Sequence, residues 1–220
     1  MNPFVFAIGA EPLVLLPQKA IWLPQRGTLL VADAHIGKAV SFRALGVPVP
    51  RGTTSQTLDS LTRLVDAQGA RRIVFLGDFL HSARAHAPQT LAALARWRDR
   101  HAEIDLVLVR GNHDQRAGDP PPALRIECVD EPWMLGSLAL SHHPRARTEG
   151  YVLAGHLHPC IGVAGRVNDH LRLPCFWFGP GVGVLPAFGA FTGMHPVRPM
   201  PGDRIFAIAD DQVLEVGVRG

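Results

Sequence analysis

Lysine is nearly missing from this chain. Of its 22 lysines and arginines only Lys19 and Lys38 are lysine. A GC-rich genome accounts for that bias as well as function does, although an arginine fork near a polar cluster still suits phosphate. Cysteine is scarce too. Cys128, Cys160 and Cys175 are odd in number and have no paired spacing. That argues against a disulfide framework and fits buried thiols in a reducing cytoplasm. No apolar run is long and clean enough to span a membrane, so no membrane partner is expected. The N-terminal stretch is apolar, but Pro3, Glu11, Pro12 and Pro17 interrupt it and no basic start precedes it, so no signal peptide is expected. Gly37-Lys38 lacks the upstream glycine of a P-loop, and Gly179-x-Gly181-x-Gly183 lacks the spacing of a dinucleotide fingerprint. There is no G-x-S-x-G, no H-E-x-x-H, no internal repeat and no low-complexity segment.

What is present reads as one domain, residues 1–220, large enough for a substantial core. A net charge of +3 and a pI of about 9.1 permit an anionic substrate without demanding one. The start predicts a hairpin-like pair, Leu13 to Leu16 and Ala20 to Leu23, then a strand from Thr28 to Ala32. Arg51 to Ala70 carries a helix capped by Thr53 or Thr54, with Leu58, Leu61, Leu64 and Val65 on one face. A strand follows over Arg72 to Leu76. Pro88 opens a helix with Leu91, Leu94 and Trp97 inward, and Leu106 to Val109 is a strand. Alternating strands and helices imply parallel pairing. After Asn112 the pattern turns mostly β, with strands at Leu124–Cys128, Leu138–Ser141, Val152–Ala154, Ile161–Val163, Leu173–Phe178, Ile205–Ile208 and Gln212–Val216. Two sheets packed face to face and flanked by helices account for both halves. Gly179–Pro201, rich in Gly and Pro, is the longest irregular segment and a candidate lid or rim.

Metal-ligand residues follow five of the apolar runs: Asp33-Ala-His35, Gly77-Asp78, Gly111-Asn112-His113-Asp114, His142-His143 and Gly155-His156-Leu-His158. Strand ends in an α/β layer converge on one edge, so residues distant in sequence can meet there. Carboxylate, amide and imidazole donors suit manganese, iron or zinc better than a thiolate site would. Two divalent ions about 3.5–4 Å apart usually share a bridging carboxylate. Asp33 and His35 can reach one ion, and Asp78 is the natural bridge. Asn112 and His142 serve the second ion, and His156 and His158 face one ion each.

This ordered set resembles the calcineurin-like metallophosphoesterases, whose pattern is D-x-H, GD, GNHD or GNHE, a lone His and GHxH. A narrower resemblance lies in His35-Ile-Gly-Lys-Ala-Val-Ser-Phe-Arg43, Gly-Asp-Phe-Leu-His81, Arg-Gly-Asn-His-Asp-Gln-Arg-Ala-Gly-Asp119, Ser-His-His-Pro-Arg145 and the stretch from Phe178 to Gly193. These are similar to the bacterial ligase-associated DNA-damage-response endonucleases. The resemblance implies a four-layer α/β/β/α sandwich of two mixed sheets flanked by helices. It implies two divalent metal ions, manganese foremost and iron or zinc as alternatives, on Asp33, His35, Asp78, Asn112, His142, His156 and His158. It implies in-line attack on phosphorus by a metal-bridging hydroxide, with single-stranded or flap-like DNA as substrate. A DNA ligase, a helicase and an exonuclease would be functional partners. His113 would donate a proton to the departing oxygen, and Asp114 could orient that imidazole.

Other residues carry blander readings. His101 and His170 are read as surface or satisfied core, and His81 and His86 as even between substrate contact and ordinary loop. His143 is a lesser alternative to His142 as ligand. For Arg43, Arg51, Arg84, Arg116 and Arg145 a solvated face outweighs a role for any one, and His195 is weighed as a groove residue against an ordinary one. Trp22, Trp97, Trp133 and Trp177 read as core. Two rival functions remain: a phosphohydrolase of nucleotides, cyclic phosphodiesters or phosphomonoesters, and a non-catalytic scaffold, which normally loses ligands that are all present here.

Overall fold

A computed structural model describes residues 2–49, 52–164 and 170–217. Arg51 and the side chain of His170 lie outside the described residues. The N-terminal half builds one mixed sheet. β1 (Phe4–Ile8), β2 (Glu11–Leu16), β3 (Ala20–Leu23) and β4 (Thr28–Val31) form an antiparallel meander. α1 (Lys38–Ala44) and α2 (Thr53–Gln68) follow, then β5 (Arg72–Leu76), α3 (Pro88–Arg100), β6 (Asp105–Val109), α4 (Asn112–Ala117) and β7 (Ile126–Val129). β4 to β7 pair in parallel. Parallel neighbours need long crossovers, and the helices supply them.

The runs in β4, β5 and β6 are apolar at nearly every position because both faces are covered. Leu30, Val74, Leu76, Val107 and Val109 face the second sheet. Leu29, Val31, Ile73, Phe75, Leu106 and Leu108 face Leu58, Leu61, Leu64 and Val65 of α2 and Leu94 and Trp97 of α3. Truncating such a fully buried leucine to alanine typically costs about 2–5 kcal/mol. The α2 cap differs from the expectation: Gly52, not a threonine, is the N-cap and Thr53 is the first helical residue.

The C-terminal half forms the second sheet from β8 (Trp133–Leu135), β9 (Leu138–Leu140), β10 (Tyr151–Ala154), β11 (Pro159–Ala164), β12 (His170–Phe178), β13 (Val182–Val184), β14 (His195–Pro196), β15 (Arg204–Ala209) and β16 (Gln212–Val216). Its order is β14-β11-β12-β13-β10-β9-β8, with β15 on β12 and β16 on β15. Leu138, Leu140, Leu153, Phe176, Phe178 and Phe206 close the core against the first sheet. The two packed mixed sheets with helices are as expected. Among the described residues the α-helices all fall between Lys38 and Ala117, and α2 and α3 pack on the first sheet.

β1 was not expected. Its Phe4 and Phe6 rings lie 4.7 and 4.6 Å from those of Phe206 and Phe178, so this edge strand sews the N-terminus onto the second sheet's core. Gly179–Pro201 is less irregular than its composition suggests. It holds β13 and β14, and Ala187 bridges in parallel to Ala32. The segment ties the two sheets together where the functional residues emerge. No helix among the described residues is long and apolar enough to cross a membrane.

Candidate metal centre

The polar residues sit where the chain leaves five strands: β4, β5, β6, β9 and β10. Five of them adopt left-handed backbone: Asp33 (φ 53), His35 (φ 45), Asp78 (φ 50), His156 (φ 72) and His158 (φ 50). Such conformations cost roughly 1–3 kcal/mol each for non-glycine residues and persist only where surrounding bonds enforce them. The bonds are present. Asp33 N–H donates to the Gly77 carbonyl (3.2 Å), His35 N–H to that of Asp78 (2.8 Å), and His156 N–H to Asp33 Oδ2 (2.8 Å). Close approach also requires glycine. A Cβ on Gly77 would collide with the His142 ring, and one on Gly111 with the Asp78 carboxylate and backbone.

Two donor sets result, and they meet at Asp78. In one, His35 Nε2 lies 3.3 Å from His158 Nε2, His158 Nε2 lies 3.5 Å from Asp33 Oδ1, and His35 Nε2 lies 3.9 Å from Asp78 Oδ2. In the other, His142 Nε2 lies 3.0 Å from Asn112 Oδ1, 3.0 Å from His156 Nδ1 and 3.4 Å from Asp78 Oδ1. All seven residues expected as ligands are therefore together. His143, with Nδ1 2.9 Å from Glu131 Oε1, lies in reach of His142 and His156 and stays the lesser alternative to His142.

These residues fit divalent cations. Asp33 Oδ1 is buried without a hydrogen-bond partner, an arrangement that is costly unless a cation meets it. The imidazoles are aimed by carbonyls: His142 Nδ1–H donates to the Leu76 carbonyl (3.1 Å) and His158 Nδ1–H to that of Gly193 (3.2 Å). Each ring then turns its Nε2 lone pair to the centre. Burial, the largest cause in each case, lowers the pKa of His35 to about 2 and of His142 to about 4, and lowers that of His156. Neutral imidazole is the form that binds metal. Burial also raises the Asp78 pKa, a penalty that a bound cation would reverse.

His113 lies beside the centre, with Nε2 4.0 Å from Asp78 Oδ2. Its Nδ1–H donates to the His81 carbonyl at 2.6 Å, and its ring stacks on that of His81 at 4.8 Å. The expectation that Asp114 orients this imidazole is corrected here. Asp114 Oδ1 accepts the Leu80 N–H and Oδ2 the Gly111 N–H, both at 2.9 Å. The first turn of α4 directs it into the protein, where burial raises its pKa to about 6. Asp114 braces the loops that carry Asp78 and Asn112.

The remaining candidates separate cleanly. His81 joins the site, with Nδ1 3.4 Å from His35 Nδ1, whereas His86 Nε2 binds the Ala117 carbonyl. His101 is a satisfied core residue against Thr62. Arg43, Arg84, Arg116 and Arg145 are exposed. Exposed His195 meets the site through its backbone, donating N–H to the His158 carbonyl. Trp97 and Trp177 donate their indole N–H to Thr62 and Asp203. Glu131 was missed, because a single acid before a proline carries no motif.

The chain is similar to known proteins. The family model for calcineurin-like phosphoesterases matches residues 28–168. The crystal structure of Pseudomonas putida nuclease MPE is 44% identical in sequence, with a TM-score of 0.87, over 98% of this chain and 100% of that one. Yfce, a phosphoesterase from E. coli, aligns at 15% identity and a TM-score of 0.42 over 87% of this chain and 99% of that one. No curated protein matches in sequence. With the family pattern spanning more than half its length and its donor atoms gathered in two sets about Asp78, this chain belongs to the calcineurin-like phosphoesterase family and is a metal-dependent phosphoester hydrolase.

Proposed function

We propose that this chain, acting as one domain over residues 1–220, is a two-metal phosphodiesterase that cuts single-stranded DNA in a bacterial, ligase-associated repair pathway in the cytoplasm. The observation that carries the reading is the meeting of two donor sets at one carboxylate, Asp78. Asp33, His35 and His158 would hold one cation, and Asn112, His142 and His156 the other, with Asp78 shared. Manganese is the preferred ion, with iron and zinc as alternatives for the same oxygen and imidazole donors. Bound there, the cations supply Lewis-acid charge and lower the pKa of water toward neutrality.

The chain's own residues do the rest. Carbonyls of Leu76 and Gly193 keep His142 and His158 in the tautomer that presents Nε2. His113, anchored by its Nδ1–H on the His81 carbonyl, would as an imidazolium give its Nε2 proton to the departing oxygen of the cut strand and be left neutral. DNA as substrate is supported by the 44% identity to a protein described as a nuclease. A DNA ligase, a helicase and an exonuclease would supply and use the cut ends.

The test is an assay panel with manganese. Single-stranded oligonucleotides are compared with nucleotides, cyclic phosphodiesters and phosphomonoesters. Strand scission is the expected outcome. Turnover of nucleotides with every strand left intact would overturn the DNA reading.

A further inference from the structure

Beside the metal centre lies a patch that the chemistry described so far does not use. Lys38 and Phe42 are four apart on α1 and share one face. Phe191, from the segment that ties the sheets together, meets Phe42 edge-on at 5.7 Å and 90°. The Lys38 ammonium lies 5.8 Å from the Phe42 ring centre and 6.0 Å from that of Phe191. On its other side Phe42 lies 6.0 Å from the His81 ring, which stacks on His113. Successive ring neighbours beside the centre are thus His113, His81, Phe42 and Phe191. A narrow cleft lined by His35, Lys38, Thr53, Thr54 and Phe191 runs beside it.

Two readings of this patch compete. In the bland one, Phe42 and Phe191 only close a short helix against a loop. Three observations favour a ligand. Phe42 and Phe191 are both residues of intermediate burial, not closed into the core. The segments that carry them also expose the apolar side chains of Leu45 (65% exposed), Val47 (42%) and Met194 (44%). Lys38 puts one positive charge between the rings and the carboxylates of Asp33 and Asp78, both of which act on it electrostatically. An apolar ring face beside a cation, next to a phosphoester-cleaving centre, is complementary to a base attached to its phosphate.

We propose that Phe42 and Phe191, with Lys38, form a platform that holds one unpaired base of a single-stranded nucleic acid next to the phosphate being cut. The idea rests on the reading under Proposed function and adds what selects the strand. A paired base has both faces covered by its neighbours and cannot reach the rings, whereas an unstacked base can. Lys38 takes the adjoining phosphate. Stacking tolerates any base, so the platform selects for single strands without selecting a sequence.

The test is equilibrium binding with manganese withheld, followed by cleavage with manganese supplied. The full chain is titrated into a fluorescein-labelled single-stranded thymidine oligomer and an abasic strand of equal length, read by anisotropy. The phosphates are the same, so any difference reports the bases. The unaltered protein should prefer the thymidine strand by about ten-fold or more, the size expected of base–aromatic stacking. Phe42→Leu and Phe191→Leu, which keep apolar bulk, should bind both strands alike. Phe42→Tyr and Phe191→Tyr should restore the preference. Lys38→Gln should weaken both strands equally and flatten the salt dependence.

Leucine variants that keep the full preference would overturn the platform, as would an unaltered protein that binds and cuts both strands equally. A protein that cuts neither strand but turns over nucleotides would instead overturn the reading under Proposed function.

Discussion

Glu131 holds His142 by its main chain. Glu131 Oε2 accepts the backbone N–H of His142 at 2.8 Å and of His143 at 2.9 Å, while Oε1 meets His143 Nδ1 at 2.9 Å. Burial opposes ionisation of Glu131, but these bonds outweigh it and keep the carboxyl below its usual range. The carboxylate therefore fixes the turn that aims His142 Nε2 at Asn112 Oδ1. Partners that orient metal ligands typically carry 10–100-fold in affinity or activity. Glu131→Ala removes the acceptor of both backbone N–H groups and the partner of His143 Nδ1. Manganese affinity should fall by roughly that factor at one of two sites, measured by calorimetric titration. Equal weakening at both sites, or none, would show that Glu131 does not act through His142.

Asp78 is expected to trade stability for function. It is 2% exposed, and its Oδ1 accepts the His113 N–H at 2.9 Å. Without cations a buried carboxylate is a cost to folding, as its raised pKa records. Asp78→Asn keeps an acceptor for His113 and removes the charge. In EDTA this variant should melt no lower than the unaltered protein. With manganese it should lose hydrolysis by more than the 10–100-fold typical of outer partners. Asp78→Ala should be equally inactive and remain folded, because the residue lies past a strand end and outside the apolar core. A lower Tm for Asp78→Asn in EDTA would refute the trade.

His113 should matter to turnover and not to metal. Its Nδ1 is taken by the His81 carbonyl, and neither nitrogen is among the closest donor pairs around the centre. His113→Ala is expected to lower kcat by roughly 10²–10⁴-fold, the usual reach of a positioned proton donor. Metal content by elemental analysis should stay unchanged. Metal loss in proportion to activity would make His113 a ligand.

The legible part of the site follows from strand chemistry. Asp33, Asp78, Asn112, His142, His156 and His158 each come just after an apolar run, and a parallel-strand layer brings such ends to one edge. The turn that reverses Asp114 was not legible. Adjacency in sequence suggested contact with His113, but α4 starts at Asn112 and sends Asp114 inward. Phe42 and Lys38 were illegible for a related reason: α1 is only seven residues long, too short for helical periodicity to show. β1 escaped notice because Pro3 and the weak alternation of an edge strand hide pairing that depends on Phe178 and Phe206, far along the chain.

His101 makes the protein's stability sensitive to acid at a point remote from the metal centre. It is 7% exposed, and its Nε2 lies 2.9 Å from Thr62 Oγ1, which accepts the Trp97 indole N–H at 3.1 Å. The Thr62 hydroxyl, with one donor and two acceptor sites, thus joins the indole and the imidazole in one buried cluster. Burial, with Arg100 adding to it, lowers the His101 pKa below 6.5. Below pH 6.5 the unfolded chain takes up a proton that the folded one resists. Stability from this group is thus complete above 6.5 and declines as pH falls, until the folded pKa is reached. His101→Gln can still accept from Thr62 and does not titrate. In EDTA, the Tm of the unaltered protein should drop further between pH 7.5 and 5.5 than that of the variant. The metal-centre histidines titrate alike in both proteins, so the difference isolates His101. Parallel Tm curves would mean that the Thr62 bond survives protonation and the buried ring is not the acid-sensitive element.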